Sequence, residues 1–248
     1  MSCMSRLRPS RSGWPDAAMI LEALNFAATW LISGRRKVGE IDSSIRLWAR
    51  ARRCARDWAE HEGNCKAFVR AQMPARGRVA VVLGSGLLRD VPVAKLSGAF
   101  REVRLYDLQH LASVRFWAHA KGLRNLRFVQ RDVSGGLGFL DDIQDIDLVI
   151  SANLLSQLGV TAERTGTDAS TVIAAHLDGL HAATGQRLLL TDISYEFVLK
   201  NGTEAERHDL MHGVRLPQAE ATWLWPVAPL GELDPAHKAV HYVVAARL

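Results

Sequence analysis

Residues 16–33 place Glu22, Asn25, Thr29 and Ser33 at i, i+3, i+7 and i+11, a narrow polar stripe on an otherwise apolar helix. The remainder includes Met19, Ile20, Leu21, Leu24, Phe26, Trp30, Leu31 and Ile32. A helix apolar over most of its circumference predicts burial. Pro15 with Asp16 marks its start and Gly34 its stop. A second helix is predicted from about Asp42 towards Glu62. Arg46, Arg50, Arg53, Asp57 and Glu60 share one face, and Ile45, Trp48, Ala55 and Trp58 another. The spacings Arg53–Asp57 and Arg56–Glu60 suit i,i+4 ion pairs on a solvated face. A third helical piece, Asn64 to Met73, ends at Pro74, and Pro74–Gly77 reads as a joint.

Beyond Gly77 the texture changes. Short apolar runs predict strands at 79–83, 102–106, 126–130, 147–151 and 187–191. Helical patterns separate them: one runs through Leu96, one spans Leu108–Ala120 and one spans Thr167–Ala183. Strict strand–helix alternation predicts a parallel sheet covered by helices on both faces. The tail breaks this rule. Strand-like runs at 221–227 and 239–245 are joined by a short connection holding Pro229, Gly231 and Pro235. That is too short for a helical crossover, so the pair is expected to be antiparallel. The chain therefore divides into an N-terminal helical cap, 1–77, and an α/β domain, 78–248.

The 248 residues, 48% hydrophobic and 23% charged, suit a globular chain with a sizeable core. Cys3, Cys54 and Cys65 are sparse, odd in number and lack C-x-x-C spacing. This argues against a disulfide framework or a zinc ribbon and for a reducing, cytoplasmic setting, with no metal expected. No run of apolar residues is long enough to span a membrane. The net charge of +5 is unevenly distributed. Residues 1–78 carry 15 Lys and Arg against 7 Asp and Glu, while the rest carry 16 against 19. All the excess positive charge lies in the N-terminal third, which keeps an anionic acceptor, a nucleic acid or an anionic membrane in view.

The candidate chemistry sits at strand ends. Gly84-Ser85-Gly86 follows the first strand, where glycines let a ligand approach the backbone and a helix start favours anions. Arg89 stands where a dinucleotide fingerprint needs its third glycine. Asp107 ends the second strand, 23 residues after Gly84, where a carboxylate can accept from ribose hydroxyls; it would also serve as a helix N-cap. Asp132 and Asn153 end or follow the third and fourth strands and face the same crevice.

The set LGSG (83–86), LYD (105–107), RDV (131–133), DLVISAN (147–153) and LLLTD (188–192) resembles the class I S-adenosylmethionine-dependent methyltransferases over residues 78–248. The resemblance implies a Rossmann-like, seven-stranded sheet of order 3-2-1-4-5-7-6 in which only strand seven runs antiparallel. It implies S-adenosylmethionine as cofactor. Gly84, Ser85 and Gly86 would pass its methionine part, Asp107 with Leu108 its ribose, Asp132 with Val133 its adenine, and Asn153 its sulfonium. Two positions depart from the pattern. Val82 replaces an acidic residue two before the first glycine, and Leu88 replaces a third glycine.

The expected reaction is methyl transfer to a small-molecule acceptor that no motif identifies. Alignment contributes most of the rate, so a general base is optional and none is evident. Of nine histidines, His110 is the most suggestive, and Tyr195 follows the fifth strand at the crevice edge; both are candidates for the acceptor pocket. Trp223 and Trp225 read as core. Three alternatives stand beside this reading. One is aminocarboxypropyl transfer from the same cofactor, since the GSGLL turn resembles that of nicotianamine synthases. The others are RNA methylation with residues 35–56 on the phosphates, and a silent cofactor-binding module. The helical cap is expected to bury Leu21, Leu24, Trp30, Trp48 and Trp58 as a lid over the crevice, with Arg46, Arg50 and Arg53 facing solvent.

Overall fold

A computed structural model describes residues 17–33, 38–202 and 204–248. Three helices come first: α1 (Ala17–Ile32), α2 (Val38–Arg53) and α3 (Ala59–Gln72). The alternating part follows as β1 (Gly77–Leu83), α4 (Val93–Ala99), β2 (Phe100–Asp107), α5 (Ala112–Ala120), β3 (Leu126–Gln130), β4 (Ile146–Ala152), α6 (Leu155–Thr165), α7 (Ala169–Ala182) and β5 (Gln186–Leu199). Three strands close the chain: β6 (Glu204–Asp209), β7 (Ala221–Ala228) and β8 (His237–Arg247).

The main sheet has the order β3-β2-β1-β4-β5-β8-β7. β1 to β5 pair in parallel, and β8 runs antiparallel to both β5 and β7. This is the expected seven-strand order. β6 is additional and pairs antiparallel with the far end of β5, Ser194 opposite Asp209. Its sequence, EAERHD, has no apolar alternation to announce it. It forms because β5 does not stop at Thr191: it runs on to Leu199 between β8 and β6.

Successive strand residues face opposite sides, so each central strand feeds two cores. On one side Ala80, Val82, Leu105, Ile150 and Leu190 pack with Ile41, Ile45, Cys65, Phe68 and Val69 from α2 and α3. On the other, Val81, Leu83, Val149 and Leu189 pack with Leu155, Ile173, Leu177 and Leu180 from α6 and α7. The helices α2 and α3 thus complete one layer of the α/β sandwich. The single helix expected from Asp42 towards Glu62 is broken by a turn at residues 54–58. Asp57 falls on that turn, and Arg50 and Arg53 reach Glu232, with Arg53 Nη2 at 2.6 Å from Oε1. Arg46, beside Asp42, and Arg53 are exposed as expected, and Arg50 is half-buried.

The first helix reverses the expected burial. Leu21, Leu24 and Trp30 are 44%, 61% and 36% exposed, whereas Asn25 and Thr29 are buried. Trp58 is buried as expected and Trp48 is half-buried. The cause is at the start of α5, whose cap residue Leu111 offers no side-chain acceptor. The first N–H groups of a helix lack partners within it. Thr29 Oγ1 accepts from Ala112 N at 2.9 Å and Asn25 Oδ1 from Ser113 N at 3.1 Å. Ser33 Oγ donates to Gln109 Oε1 at 3.0 Å. The polar stripe of α1 thus caps α5 from outside, and the apolar face is turned outward. The start and stop of this helix at Pro15, Asp16 and Gly34 lie outside the described residues.

A buried histidine gives the fold a pH dependence. His176 is 1% exposed, pairs with Ser151 Oγ at 3.0 Å, and burial pushes its pKa down to about 4. In the unfolded chain a histidine titrates near ~6.5. Between these values the unfolded state binds the extra proton, so stability falls as pH drops from about 6.5 to about 4. The full loss is about 3 kcal/mol. Urea unfolding of the wild type and His176→Gln at both pH values should show the acid loss shrinking by that order in the variant. An unchanged difference would assign the acid sensitivity elsewhere.

Candidate functional site

The turn after β1 is shaped by positive φ values. Gly84 sits at φ +71°, where an added Cβ would lie 2.8 Å from Leu154 Cβ and 2.9 Å from the Ala152 carbonyl oxygen. Gly84 N and Ser85 N both donate to the Tyr106 carbonyl, at 3.0 and 3.2 Å. Gly86, at φ +45°, has only the Gly84 oxygen near its Cβ position, so one side of its backbone is open. Leu88, at the position of the missing third glycine, adopts φ 59°. That conformation costs a non-glycine residue roughly 1–2 kcal/mol. Its side chain is buried in the core beside α2 and α3, a gain of about 1.5–3 kcal/mol that offsets the strain. Val82, at the position of the missing acid, is wholly buried in the same core.

Asp107 is tied to this turn. Gly86 N donates to its Oδ2 at 2.6 Å, and Gln109 N lies 3.4 Å from Oδ1. Burial raises the Asp107 carboxyl's pKa above the ordinary value, against the pull of His110 and these backbone donors. Each carboxylate oxygen still has accepting capacity after one such bond. Leu108, next in the chain, is 41% exposed at the strand end. Arg131 N donates to the Asp107 carbonyl at 2.9 Å, which brings Asp132 and the buried Val133 to the same edge. His110 is buried against Phe128 with Nε2 donating to the Val129 carbonyl at 3.1 Å. Burial pushes its pKa down, and its ring ties the loop after β2 to β3.

Asn153 follows β4 at φ 49°, and its Nδ2 donates to Asp90 Oδ2 at 2.9 Å. The same amide nitrogen is 3.3 Å from Nε2 of His61, which α3 carries into the core. Burial pushes the Asp90 carboxyl's pKa up, and His61 and Asn153 more than reverse this, leaving it below the ordinary value. His61, Cys65 and Asp90 lie close enough to share a metal ion. Their chemistry favours a hydrogen-bonded cluster. Trp223 Nε1 donates to His61 Nδ1 at 2.9 Å. An indole N–H only donates, so the neutral ring carries its proton on Nε2, the nitrogen facing Asp90. Burial also pushes the Cys65 thiol's pKa far up, which keeps it protonated, whereas a metal ligand must be a thiolate.

A second constellation was not singled out from the sequence. His241 Nδ1 lies 2.6 Å from Asp192 Oδ2, and Ser156 Oγ donates to the other carboxylate oxygen. Asp192 lies just past the part of β5 that pairs with β4, while His241 comes from β8 opposite Tyr195. Nδ1 is thus committed, which leaves Nε2 for proton transfer. Tyr195 stacks on His208 and His241 at 4.6 and 5.5 Å between ring centres. Trp225 meets His241 edge-on at 5.7 Å and stacks on His61 at 4.1 Å, so a run of rings joins the Asn153 cluster to the Asp192–His241 dyad. Nearby, Ile193, Ser194, Arg207, Asp209, Met211, Val214 and Leu216 line a cavity of about 490 Å³. Gly84, Ser85, Gly86, Asp107, Leu108, Asp132 and Val133 therefore gather at the ends of β1, β2 and β3. Asn153 flanks them at β4, and Tyr195 stands apart on β5.

No family model and no curated protein matches the sequence. Solved structures do resemble it. The YcgJ protein of Bacillus subtilis is 19% identical with a TM-score of 0.38, over 54% of this chain and 52% of that one. Magnesium protoporphyrin IX methyltransferase of Synechocystis PCC 6803, solved with bound S-adenosylmethionine, is 16% identical with a TM-score of 0.41, over 94% of this chain and 99% of that one. Phosphoethanolamine N-methyltransferase 1 of Haemonchus contortus, solved with phosphoethanolamine and S-adenosylhomocysteine, is 12% identical with a TM-score of 0.45, over 82% and 49%. The chain thus spans about half the length of the first and third of these proteins. The five parallel strands, the order β3-β2-β1-β4-β5-β8-β7 and the reversed β8 are the arrangement that the resemblance to the class I S-adenosylmethionine-dependent methyltransferases implied.

Proposed function

We propose that this protein binds S-adenosylmethionine across the ends of β1 to β4 and transfers its methyl group to a small molecule held beside β5. The observation that carries the reading is the bond from Gly86 N to Asp107 Oδ2, which locks an open glycine turn against a strand-end carboxylate. In this reading Gly84, Ser85 and Gly86 flank the methionine part, Asp107 and Leu108 the ribose, and Asp132 and Val133 the adenine. Asn153 lies nearest the sulfonium. Asp90, close to Asn153, offers the carboxylate that Val82 cannot. His110 holds the ribose-side loop in place, and Tyr195 faces the acceptor.

The bound sulfonium supplies an already activated methyl carbon. The protein's part is alignment, worth roughly 7–11 kcal/mol, and removal of the acceptor's proton where it has one. His241 takes that proton on Nε2 while Asp192 stabilises the resulting imidazolium. Within residues 1–77, α2 and α3 cover one face of the 78–248 cofactor-binding unit, with His61 their contribution to the site. Free, buried Cys54 and Cys65 suit a reducing, cytoplasmic setting. An RNA acceptor is less favoured, because Arg50 and Arg53 are engaged by Glu232.

The test uses cofactor labelled separately in its methyl and aminocarboxypropyl groups, incubated with the full chain and a small-molecule extract. Only the methyl label should appear in product. Transfer of the other label would replace the reading with aminocarboxypropyl transfer. Binding without transfer of either label would favour a silent module.

Asp107→Ala should weaken cofactor binding at least about tenfold to 150-fold, since one hydrogen bond to a charged group contributes ~1.5–3 kcal/mol. Calorimetry on the folded variant checks this. Unchanged affinity would remove Asp107 from the site.

A further inference from the structure

We infer that the outward face of α1, with the adjoining end of α5, docks on an anionic membrane surface. Leu21, Leu24, Leu31 and Ile32 on α1 are 44–67% exposed, although the same helix buries Asn25 and Thr29. The orientation is held by the polar stripe, which is engaged in capping α5, together with Phe26, which packs against the core. Phe116 and Trp117, 73% and 41% exposed, stand one turn beyond Ser113, the residue that Asn25 holds. The apolar surface therefore continues from one helix onto the next. Contiguous exposed apolar surface of this kind marks an interaction site.

Charge selects the occupant. Lys121, four residues after Trp117, and Arg124 are exposed just past the end of α5, so cations stand beside the apolar surface. An apolar helix face beside cations matches an anionic interface, where the face enters the acyl boundary and the cations meet headgroups. With 16 residues α1 is roughly 24 Å long, less than the hydrocarbon core of about 30 Å, and it lies on the bilayer rather than across it. Among the described residues no helix is long and apolar enough to cross a membrane. Ser33 Oγ also lies 3.4 Å from Gln130 Oε1 at the end of β3, so docking brings the crevice edge close to the lipid.

The test is co-sedimentation of the full chain with phosphatidylglycerol–phosphatidylcholine vesicles and with phosphatidylcholine vesicles, beside light scattering without lipid. Binding to the anionic vesicles, weakened by salt, is expected. The double variant Leu24→Glu, Leu31→Glu should weaken it by about tenfold to a hundredfold while thermal unfolding is unchanged. Brominated lipid should quench tryptophan fluorescence in the wild type and not in the variant. Equal binding to both vesicle types, or binding that survives the double variant, would overturn the proposal. So would a lipid-independent dimer that the variant dissociates, which would make a second copy of the chain the occupant.

Discussion

His241→Ala should slow transfer by about 10²–10⁴-fold, the usual contribution of a positioned general base. Cofactor affinity should stay the same, because the ring stands beside β5 and the proposed cofactor residues gather at β1 to β4. The effect runs through Asp192: with Nδ1 held at 2.6 Å from that carboxylate, Nε2 is the nitrogen that takes the proton. Asp192→Asn removes the negative charge that stabilises the imidazolium and should lose much of the same factor. A merely structural role for His241 would instead shift the unfolding midpoint and leave the pH–rate profile in place. The measurements are single-turnover rates against pH for the wild type and both variants, with thermal unfolding alongside. Equal rates in the folded His241→Ala protein would remove the base from the mechanism.

The second large effect concerns the glycine turn. Gly84→Val should destabilise the fold by about 2–5 kcal/mol. A left-handed φ costs a non-glycine residue roughly 1–2 kcal/mol, and overpacking adds about 1–3 kcal/mol. The overpacking is specific, because the new Cβ would press on Leu154 and on the Ala152 carbonyl. Neither can move freely: Leu154 packs in the core on the α6 side and Ala152 ends a central strand. Gly86→Ala is the control. It has the same φ problem and no close neighbour, so its stability loss should be only about 1–2 kcal/mol. Its cofactor affinity should fall by more than that loss implies, because its open side is where the ligand approaches. Urea unfolding separates the two variants, and equal losses would mean that the close approach at Gly84 is unimportant.

The sheet was largely legible because a strand buried on both faces reads as a continuous apolar run. RVAVVL, DLVIS and RLLLT each announce themselves this way, and each ends at a glycine or a polar residue at the crevice edge. The placing of Gly86 and Asp107 at neighbouring strand ends follows from the same logic. Besides β6, three features were not legible. The period of α1 reveals a polar stripe but not which way it faces, and hydrogen bonds to α5 decided the direction. The break at residues 54–58 carries no glycine or proline to mark it. The Asp192–His241 dyad depends on the antiparallel register of β5 and β8 and on an irregularity between Asp192 and Ser194. Residues 49 apart meet only once that register is known.

The central claim is that the crevice at β1 to β4 is a site for S-adenosylmethionine. Titration calorimetry of the full chain with S-adenosylhomocysteine, and separately with NAD, tests it most directly. The account predicts one site per chain for the former and no measurable heat for the latter. Binding of NAD with no binding of S-adenosylhomocysteine would contradict it.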